Sequence, residues 1–191
     1  MARRRRVIAY VDGFNLYHTI RNLRPNKVNL WSLFEELTHA DEELVGVNYF
    51  SAYVWWRPSK MASHKRYVKD LKAAGVRVTL GQYKRKGSDG GYEEKETDIN
   101  IALRLVMDAE DDLYDRAKLL TVDSDLAAAV REVKSRKPEK SILIVKPPGR
   151  GHFGRELVQA SGGGQGFLLN EGRLKRHMFP PIKERSASLA S

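Results

Sequence analysis

"VIAYVDGFN", residues 7–15, begins as a run of apolar residues and changes at Asp12 to an acid, a glycine, an aromatic residue and an amide. A short apolar run of this kind is typical of a strand that is buried on both faces of a sheet. After Phe14 the pattern becomes helical. The stretch therefore predicts a buried strand that ends in a carboxylate, with a helix directly behind it.

The rest of the chain alternates between strand and helix patterns in the same way. Further apolar or β-branched runs predict strands at 45–56, 76–80, 117–122, 141–145 and 166–170. Helical patterns cover 29–38, 59–75, 97–111 and 125–135. The glycine-rich, charged segment 81–95 predicts an exposed loop or hairpin. This alternation predicts an α/β fold, a three-layer α/β/α sandwich in which helices cover both faces of a mostly parallel central sheet.

The composition supports one globular domain with an anionic partner. The 191 residues are 41% hydrophobic, which allows a sizeable core. The absence of cysteine excludes disulfides, thiolate catalysis and cysteine-based zinc sites, and it fits a reducing compartment. Lysine and arginine total 34 against 24 acids, and the formal net charge of +10 favours binding of a polyanion, most often nucleic acid.

The predicted domain occupies residues 7–182, between a basic N-terminal arm at 1–6 and a disordered tail at 183–191. No stretch approaches the ~20 apolar residues that a membrane span requires. The basic start "MARRRR" is followed by an apolar run that breaks at Asp12, which does not fit a signal peptide. We expect a cytoplasmic protein without membrane contact. The sequence leaves its oligomeric state open, a homo-oligomer included.

Four aspartates fall at the ends of the predicted elements. Asp12 ends the first strand, and Asp123 and Asp125 follow the strand at 117–122. Asp98 lies in the first turn of the helix at 97–111. In a parallel sheet such strand ends share one edge, and the helix start can bring Asp98 beside them. Each acid taken singly could be a helix cap or a first-turn charge, but one cap does not need both acids of "DSD".

Carboxylates crowded at one edge repel each other and persist only with protons or cations between them. Hard oxygen ligands of this kind suit Mg²⁺ or Mn²⁺. Such ions over a phosphodiester can activate water and stabilise the leaving oxygen. The four aspartates therefore predict a divalent metal site.

Three motifs occur in the order "YVDGFNLYH" (10–18), "KETDINIAL" (95–103) and "LLTVDSDLAAAV" (119–130). Together they resemble the NYN domain, a branch of the PIN-like nuclease superfamily that includes the LabA/DUF88-like proteins. The resemblance runs from about residue 6 to 181, because "KPPGR" (146–150) and the late "RLKRHMFPPI" also match the bacterial branch. It implies a Rossmann-like, PIN-like fold, an acidic pocket for Mg²⁺ or Mn²⁺, and cleavage of RNA.

The resemblance also implies roles for single residues. The catalytic and metal-binding acids would be Asp12, Asp98, Asp123 and Asp125. Residues expected at the substrate from the motifs are Asn15, Thr121 and Ser124. Basic residues of neighbouring loops are candidate phosphate contacts, namely Lys84, Arg85, Lys86 and Arg150. Aromatic residues near strand ends could stack on unpaired bases, namely Trp55, Trp56 and Tyr83.

The leading hypothesis is a metal-dependent ribonuclease, an endoribonuclease that hydrolyses RNA phosphodiester bonds at an Asp-rich Mg²⁺ or Mn²⁺ site. One alternative is a nucleic-acid-binding regulatory protein with a weak or vestigial nuclease pocket. Val122 stands where the family pattern has a glycine and Arg104 where many relatives carry an acid, and both features favour that alternative. A second alternative is a structure-selective DNA nuclease. A nucleotide-binding domain fits poorly, because the chain has no P-loop.

Overall fold

The computed structural model describes residues 3–21, 23, 26–87, 90–149, 154–163 and 166–180. Two features named from the sequence, Arg150 and the tail at 183–191, lie outside the described residues.

The described part of the chain folds as a mostly parallel sheet with helices on both sides. The strands are β1 (Arg5–Asp12), β2 (Glu42–Ala52), β3 (Arg77–Lys86), β4 (Gly91–Lys95), β5 (Arg116–Leu120), β6 (Ser141–Lys146) and β7 (Phe167–Leu168). The helices are α1 (Gly13–Ile20), α2 (Leu30–Glu36), α3 (Pro58–Ala73), α4 (Thr97–Glu110), α5 (Ala127–Arg136), α6 (Arg155–Ala160) and α7 (Glu171–Arg176). A 3-10 turn, Ser124–Leu126, precedes α5.

The sheet places β1 at its centre. Its seven described strands lie in the order β4-β3-β2-β1-β5-β6-β7, and β4 is antiparallel to its neighbour while the other pairs are parallel. Val11 of β1 is paired with Leu120 of β5, and Asp12 with Phe50 of β2. The carboxyl ends of β1 and β5 are therefore adjacent, which confirms the predicted α/β fold and the predicted neighbourhood of these two strands.

The core lies on both faces of β1, which explains its uninterrupted apolar run. Ile8 and Tyr10 belong to a buried cluster with residues of α4 and α5. Ala9 and Val11 belong to a second cluster, formed with residues of α1, α2 and α3. Since successive side chains of a strand point to opposite faces, a strand with helices on both sides needs apolar residues at every position.

Some local predictions differ from the structure. β3 continues from the predicted 76–80 to Lys86 and forms an antiparallel hairpin with β4, so the charged segment 81–95 is a hairpin. The short helix α6 was not anticipated, since glycines and prolines before it indicate only a turn. Helix α4 begins at Thr97 as predicted, but its cap position is Glu96, whose φ of 80° is left-handed and whose side chain makes no capping hydrogen bond.

The basic residues at the start of the chain are part of the sheet. β1 begins at Arg5, two residues before the predicted domain boundary. Arg6 pairs with Asp115 at 2.9 Å, and Arg3 pairs with the same carboxylate at 3.1 Å. Arg5 pairs with Asp41. These pairs hold the arginines at the amino ends of the parallel strands, at the edge opposite Asp12. Within the described residues, no helix is long and apolar enough to cross a membrane.

An ion pair is buried at this amino-terminal edge. Lys118 of β5 is 1% exposed, and its ammonium group donates to the buried carboxylate of Glu42 at 3.1 Å and to the carbonyl of Leu37. Arg116 donates to the other oxygen of Glu42 at 2.5 Å. The cluster therefore joins β2, β5 and the end of α2.

We expect Lys118→Met to lower the free energy of unfolding by about 3 kcal/mol, because it leaves the buried charge of Glu42 partly uncompensated. The double variant Glu42→Leu/Lys118→Met should recover most of this loss, since it removes both charges. Urea unfolding measures both. The exposed pair Glu171–Lys175 provides the control, and Lys175→Met should cost less than about 1 kcal/mol. A double variant less stable than the single one would contradict this account of the cluster.

Candidate active site

Asp12 lies at the carboxyl end of the central strand and is 2% exposed. Its Oδ1 accepts the backbone N–H groups of Phe14 at 3.0 Å and Asn15 at 2.9 Å, which caps α1. Its Oδ2 accepts the Thr121 hydroxyl at 3.0 Å and the side-chain amide of Asn15. These donors occupy the roughly four lone-pair sites of a carboxylate. Burial raises the pKa of Asp12, while the bonds from Asn15 and Thr121 act in the opposite direction.

Gly13 allows α1 to begin directly against β2. A Cβ atom at this position would lie 2.6 Å from the carbonyl oxygen of Phe50 and 2.6 Å from the ring of Tyr49. Backbone cannot yield at that distance, so the glycine behind Asp12 is required by packing. The close approach fixes the direction in which α1 leaves the sheet, and with it the position of Asn15.

Thr121 connects the two acidic motifs. It is fully buried, donates its hydroxyl proton to Asp12, and accepts the backbone N–H of Asp123 at 3.0 Å. Asp123 in turn accepts the N–H of Asp125 at 2.9 Å and caps the 3-10 turn. The predicted substrate contact by Thr121 does not agree with this burial, because its hydroxyl is used to position Asp12 and Asp123. Asn15 is 8% exposed and is likewise directed to Asp12, whereas Ser124 is exposed.

Asp98 is the acid whose charge is least compensated. It lies in the first turn of α4 and is partly buried, and no donor of the described residues is hydrogen-bonded to it. Burial, followed by the charges of Asp123, Asp12, Glu94 and Asp125, raises the pKa of Asp98 to about 6. The four predicted aspartates therefore act on each other at one edge of the sheet.

Glu94 is a fifth acid of this cluster, and the sequence did not reveal it. It lies on β4 opposite Tyr83, and its carboxylate accepts the backbone N–H of Thr97 at 3.1 Å together with the Thr97 hydroxyl. Its charge contributes to the raised pKa of Asp98. The alternation of side chains along a paired hairpin could have indicated it, but only once the register of β3 and β4 was known.

A family model for the NYN domain matches residues 6–162. The chain belongs to the NYN domain family. This family is nuclease-like, and PIN-like nucleases related to it generally use divalent metal ions. The match agrees with the resemblance of the three sequence motifs. It covers β1 to α6 and ends before β7 and α7.

Solved structures support the same fold. One match is the crystal structure of a protein of unknown function from Vibrio parahaemolyticus, with a TM-score of 0.66 and 19% sequence identity. The alignment covers 90% of this chain and 96% of that one, and at this identity the likeness concerns the fold alone. The comparison with curated proteins found no match.

The acids of this NYN domain suit a hard divalent cation in their chemistry. All are oxygen donors, and the raised pKa of Asp98 shows repulsion that a cation would relieve. In the part of the chain that the structure describes, however, no three or more acidic or histidine side chains converge as a metal-binding group. Two of the acids are also engaged in hydrogen bonds, because Asp12 has its lone pairs filled and Asp123 caps a turn. A bound ion would have to exchange with some of these donors.

The two departures from the family pattern have local explanations. Arg104 pairs with the buried Asp108 at 2.9 Å, one turn further along α4, and Asp108 also accepts the hydroxyl of Tyr10 at 2.8 Å. The charge of Arg104 is thereby compensated within the core. The carbonyl oxygen of Val122 lies 3.5 Å from where a Cβ of Gly154 would be, which is an ordinary contact distance, so the backbone of Val122 makes no close approach to Gly154.

The basic residues 84–86, which are candidate phosphate contacts, lie on the β3–β4 hairpin. β3 pairs with β2 only as far as Gly81, and Lys84, Arg85 and Lys86 lie beyond this point, all exposed. Arg85 is paired with Tyr92 in the hairpin. Alternation places Arg85 on one face of the hairpin and the two lysines on the other. The three cations therefore project past the sheet edge that carries the acids, and Arg150 lies outside the described residues.

We expect Asp98→Asn to raise the melting temperature in metal-free buffer at pH 8, because it removes a charge that other carboxylates repel. The pKa of Asp98 is higher in the folded state than in the unfolded chain, so its charge destabilises the fold above about pH 6. The difference between variant and wild type should shrink as the pH falls towards ~4. Calorimetry from pH 4 to 8 in EDTA measures it.

Glu139→Gln is the control for this prediction. Glu139 is an exposed acid in the turn between α5 and β6, at the opposite edge of the sheet. Its substitution should leave the pH dependence unchanged. A melting temperature of Asp98→Asn that follows wild type at every pH would show that the carboxylates do not interact.

Proposed function

We propose that this NYN domain is a metal-dependent ribonuclease that cuts RNA phosphodiester bonds internally at the acidic edge of the sheet. The observation that carries the proposal is Asp98, a partly buried carboxylate with a raised pKa and four acids around it in a nuclease-like family. Perturbed pKa values of this kind cluster at functional sites. The net charge of +10 supports a polyanionic substrate. The absence of cysteine fits action in the reducing cytoplasm.

The residues that would hold Mg²⁺ or Mn²⁺ are Asp12, Asp98, Asp123 and Asp125. When bound, such an ion supplies Lewis-acid stabilisation of the phosphate and lowers the pKa of water. The hydrogen bonds that cap α1 and the hydroxyl of Thr121 hold the carboxylate of Asp12 in one orientation. Ser124 is exposed at the same edge and can donate to a phosphate oxygen.

Incubation of the pure protein with labelled single-stranded RNA and DNA of one sequence, with Mg²⁺, Mn²⁺ or EDTA, tests the proposal. We expect internal cuts in RNA with a divalent ion and none in EDTA. Asp98→Asn should lower the cleavage rate by more than roughly 100-fold. Loss of a residue that only hydrogen-bonds to a metal ligand already costs up to about 100-fold. Glu139→Gln should keep full activity, and the loss of cleavage in Asp98→Asn purified in the same way excludes a contaminating nuclease.

The same assay decides between the alternatives. Cleavage of DNA substrates with RNA left intact would indicate a structure-selective DNA nuclease. Binding without cleavage in any metal would favour a nucleic-acid-binding regulatory protein. Two observations favour the regulatory protein. Asp12 has all its lone pairs hydrogen-bonded, and the described residues contain no converged metal-binding group.

The hairpin cations should bind the nucleic-acid backbone. Replacing Lys84, Arg85 and Lys86 by alanine should weaken RNA binding and reduce the slope of log K against log salt by up to about two units on a single strand. Saturated turnover should change much less, because these charges position the substrate. Fluorescence anisotropy over a salt series, with the Asp98→Asn protein as background, measures the slope.

A charge-matched control lies on the outer face of α3. Arg66, Lys69 and Lys72 are all exposed, and Lys72 lies at the helix end that leads to the opposite edge of the sheet. Their replacement by alanine removes the same number of charges far from the acids. Equal slopes of log K against log salt for the two triple variants would show that the hairpin is not part of the binding surface.

A further inference from the structure

A cavity of about 370 Å³ lies beside the acidic edge, between α1, α3 and the β3–β4 hairpin. Small-molecule sites span about 300–1,000 Å³, so it has the size of a single ring system with its attachments. Its described lining contains six aromatic side chains: Phe14, Tyr17, Tyr49, Trp56, Tyr67 and Tyr83. Such a wall offers flat apolar surfaces to a flat ligand.

The aromatic wall is preformed by contacts among its own residues and their neighbours. Trp56 stacks on Tyr92 of β4 at 3.7 Å between ring centroids and 10° between planes, and it meets Tyr83 edge-on at 4.9 Å. Tyr49 and Tyr67 are almost fully buried and meet edge-on at 5.8 Å. The hairpin and α3 therefore provide side walls whose rings are already packed.

Apart from three cationic side chains, the polar groups of the described lining are neutral. His64 on α3 lines it beside Tyr49, and burial lowers the pKa of this histidine to about 4. At physiological pH its ring therefore offers one N–H donor and one nitrogen acceptor. Ser51, Ser63 and Asn26 also contribute to the lining. Neutral donors and acceptors between aromatic walls match the edge of a nucleobase.

Positive charge is instead present in three other lining residues. These are Lys27, Arg57 and Lys60, of which the last two are exposed, and none of the described lining residues is acidic. The acidic cluster is nevertheless close. Gly13 and Phe14, which line the cavity, directly follow Asp12, and the charge of Asp12 contributes, after burial, to raising the pKa of Tyr49 to about 12.

We propose that this cavity receives one unpaired base of a single-stranded nucleic acid whose adjacent phosphodiester lies at the acidic edge. The cations Lys27, Arg57 and Lys60 would bind the flanking phosphates. A base within a duplex is stacked and paired and must first be extruded, so the cavity selects single-stranded or unpaired substrate. The inference rests on the proposed nuclease function and assigns its substrate class.

Binding without catalysis tests the cavity separately from the nuclease activity. The protein is the Asp98→Asn variant in EDTA, and the probes are a short labelled single-stranded RNA and the matching duplex. Ser63→Phe fills the cavity from α3, and Trp56→Ala removes part of its wall. Each should weaken single-strand binding roughly 5- to 100-fold, the range for loss of one stacked base. Duplex binding should be weaker from the start and insensitive to both changes.

Matched controls use positions outside the cavity lining. Ala62 is exposed next to Ser63 on α3, and Ala62→Phe adds the same ring outside the cavity lining. A second control, on another element, is Met107 of α4, which is 55% exposed and does not line the cavity, so Met107→Ala removes a large exposed side chain without opening it. Both controls should bind within about 2-fold of the background protein. Circular dichroism and melting temperature confirm the fold of each variant.

A set of RNAs with one abasic position each identifies the inserted base. Removal of the base at one position should weaken RNA binding by the background protein. The same removal should weaken binding by Ser63→Phe much less, because the missing base and the filled cavity eliminate the same interaction. Equal binding by Ser63→Phe and Ala62→Phe, or abasic losses that are the same in both proteins, would overturn the proposal even if the wild type cleaves RNA. Cavity-dependent binding together with a failure to cleave in any metal would instead refute the nuclease function alone.

Discussion

The parallel pairing of β1 with β2 on one side and β5 on the other is the constraint on which the rest of the structure depends. It forces the carboxyl ends of the strands to one edge, so that Asp12 and the segment after β5 meet. One buried hydroxyl, that of Thr121, then bonds to both acidic motifs. The packing of α4 against β1, β2 and β3 adds Asp98, and the β3–β4 hairpin adds Glu94. Every feature of the candidate site is a consequence of this strand order.

Aspartates at the two edges of the sheet have pKa values that are shifted in opposite directions. At the amino-terminal edge, the hydrogen bonds of Arg6 hold the pKa of Asp115 well below its usual range, and Arg6, Arg3 and Lys140 neutralise the acids there. At the carboxyl-terminal edge, burial and other carboxylates raise the pKa of Asp98. Compensated charges of the first kind stabilise a fold, whereas uncompensated charges of the second kind cost stability and mark a functional site.

The acidic edge and the aromatic cavity have complementary properties. The acids repel a phosphate unless a cation intervenes, and the cavity beside them carries cations and no acid among its described lining. A polynucleotide needs both kinds of surface, because its phosphates are charged and its bases are flat and neutral. The hairpin links the two regions, since Glu94 acts on Asp98 while Tyr83 and Tyr92 contact Trp56.

The amino-acid sequence was sufficient to predict the alternation of strands and helices, the buried character of β1 and the four aspartates at the ends of elements. These features are local, because hydrophobic periodicity and the position of an acid in an element are readable within one segment. Strand register and packing were needed to show that Glu94 joins the acids, that Thr121 is buried between Asp12 and Asp123, and that Arg3, Arg5 and Arg6 lie at the far edge. It alone formed the cavity, whose walls come from α1, the segment after β2, α3 and the hairpin. Such features depend on strand register and on rings that are distant in sequence, as with Trp56 stacked on Tyr92, and no local periodicity encodes them.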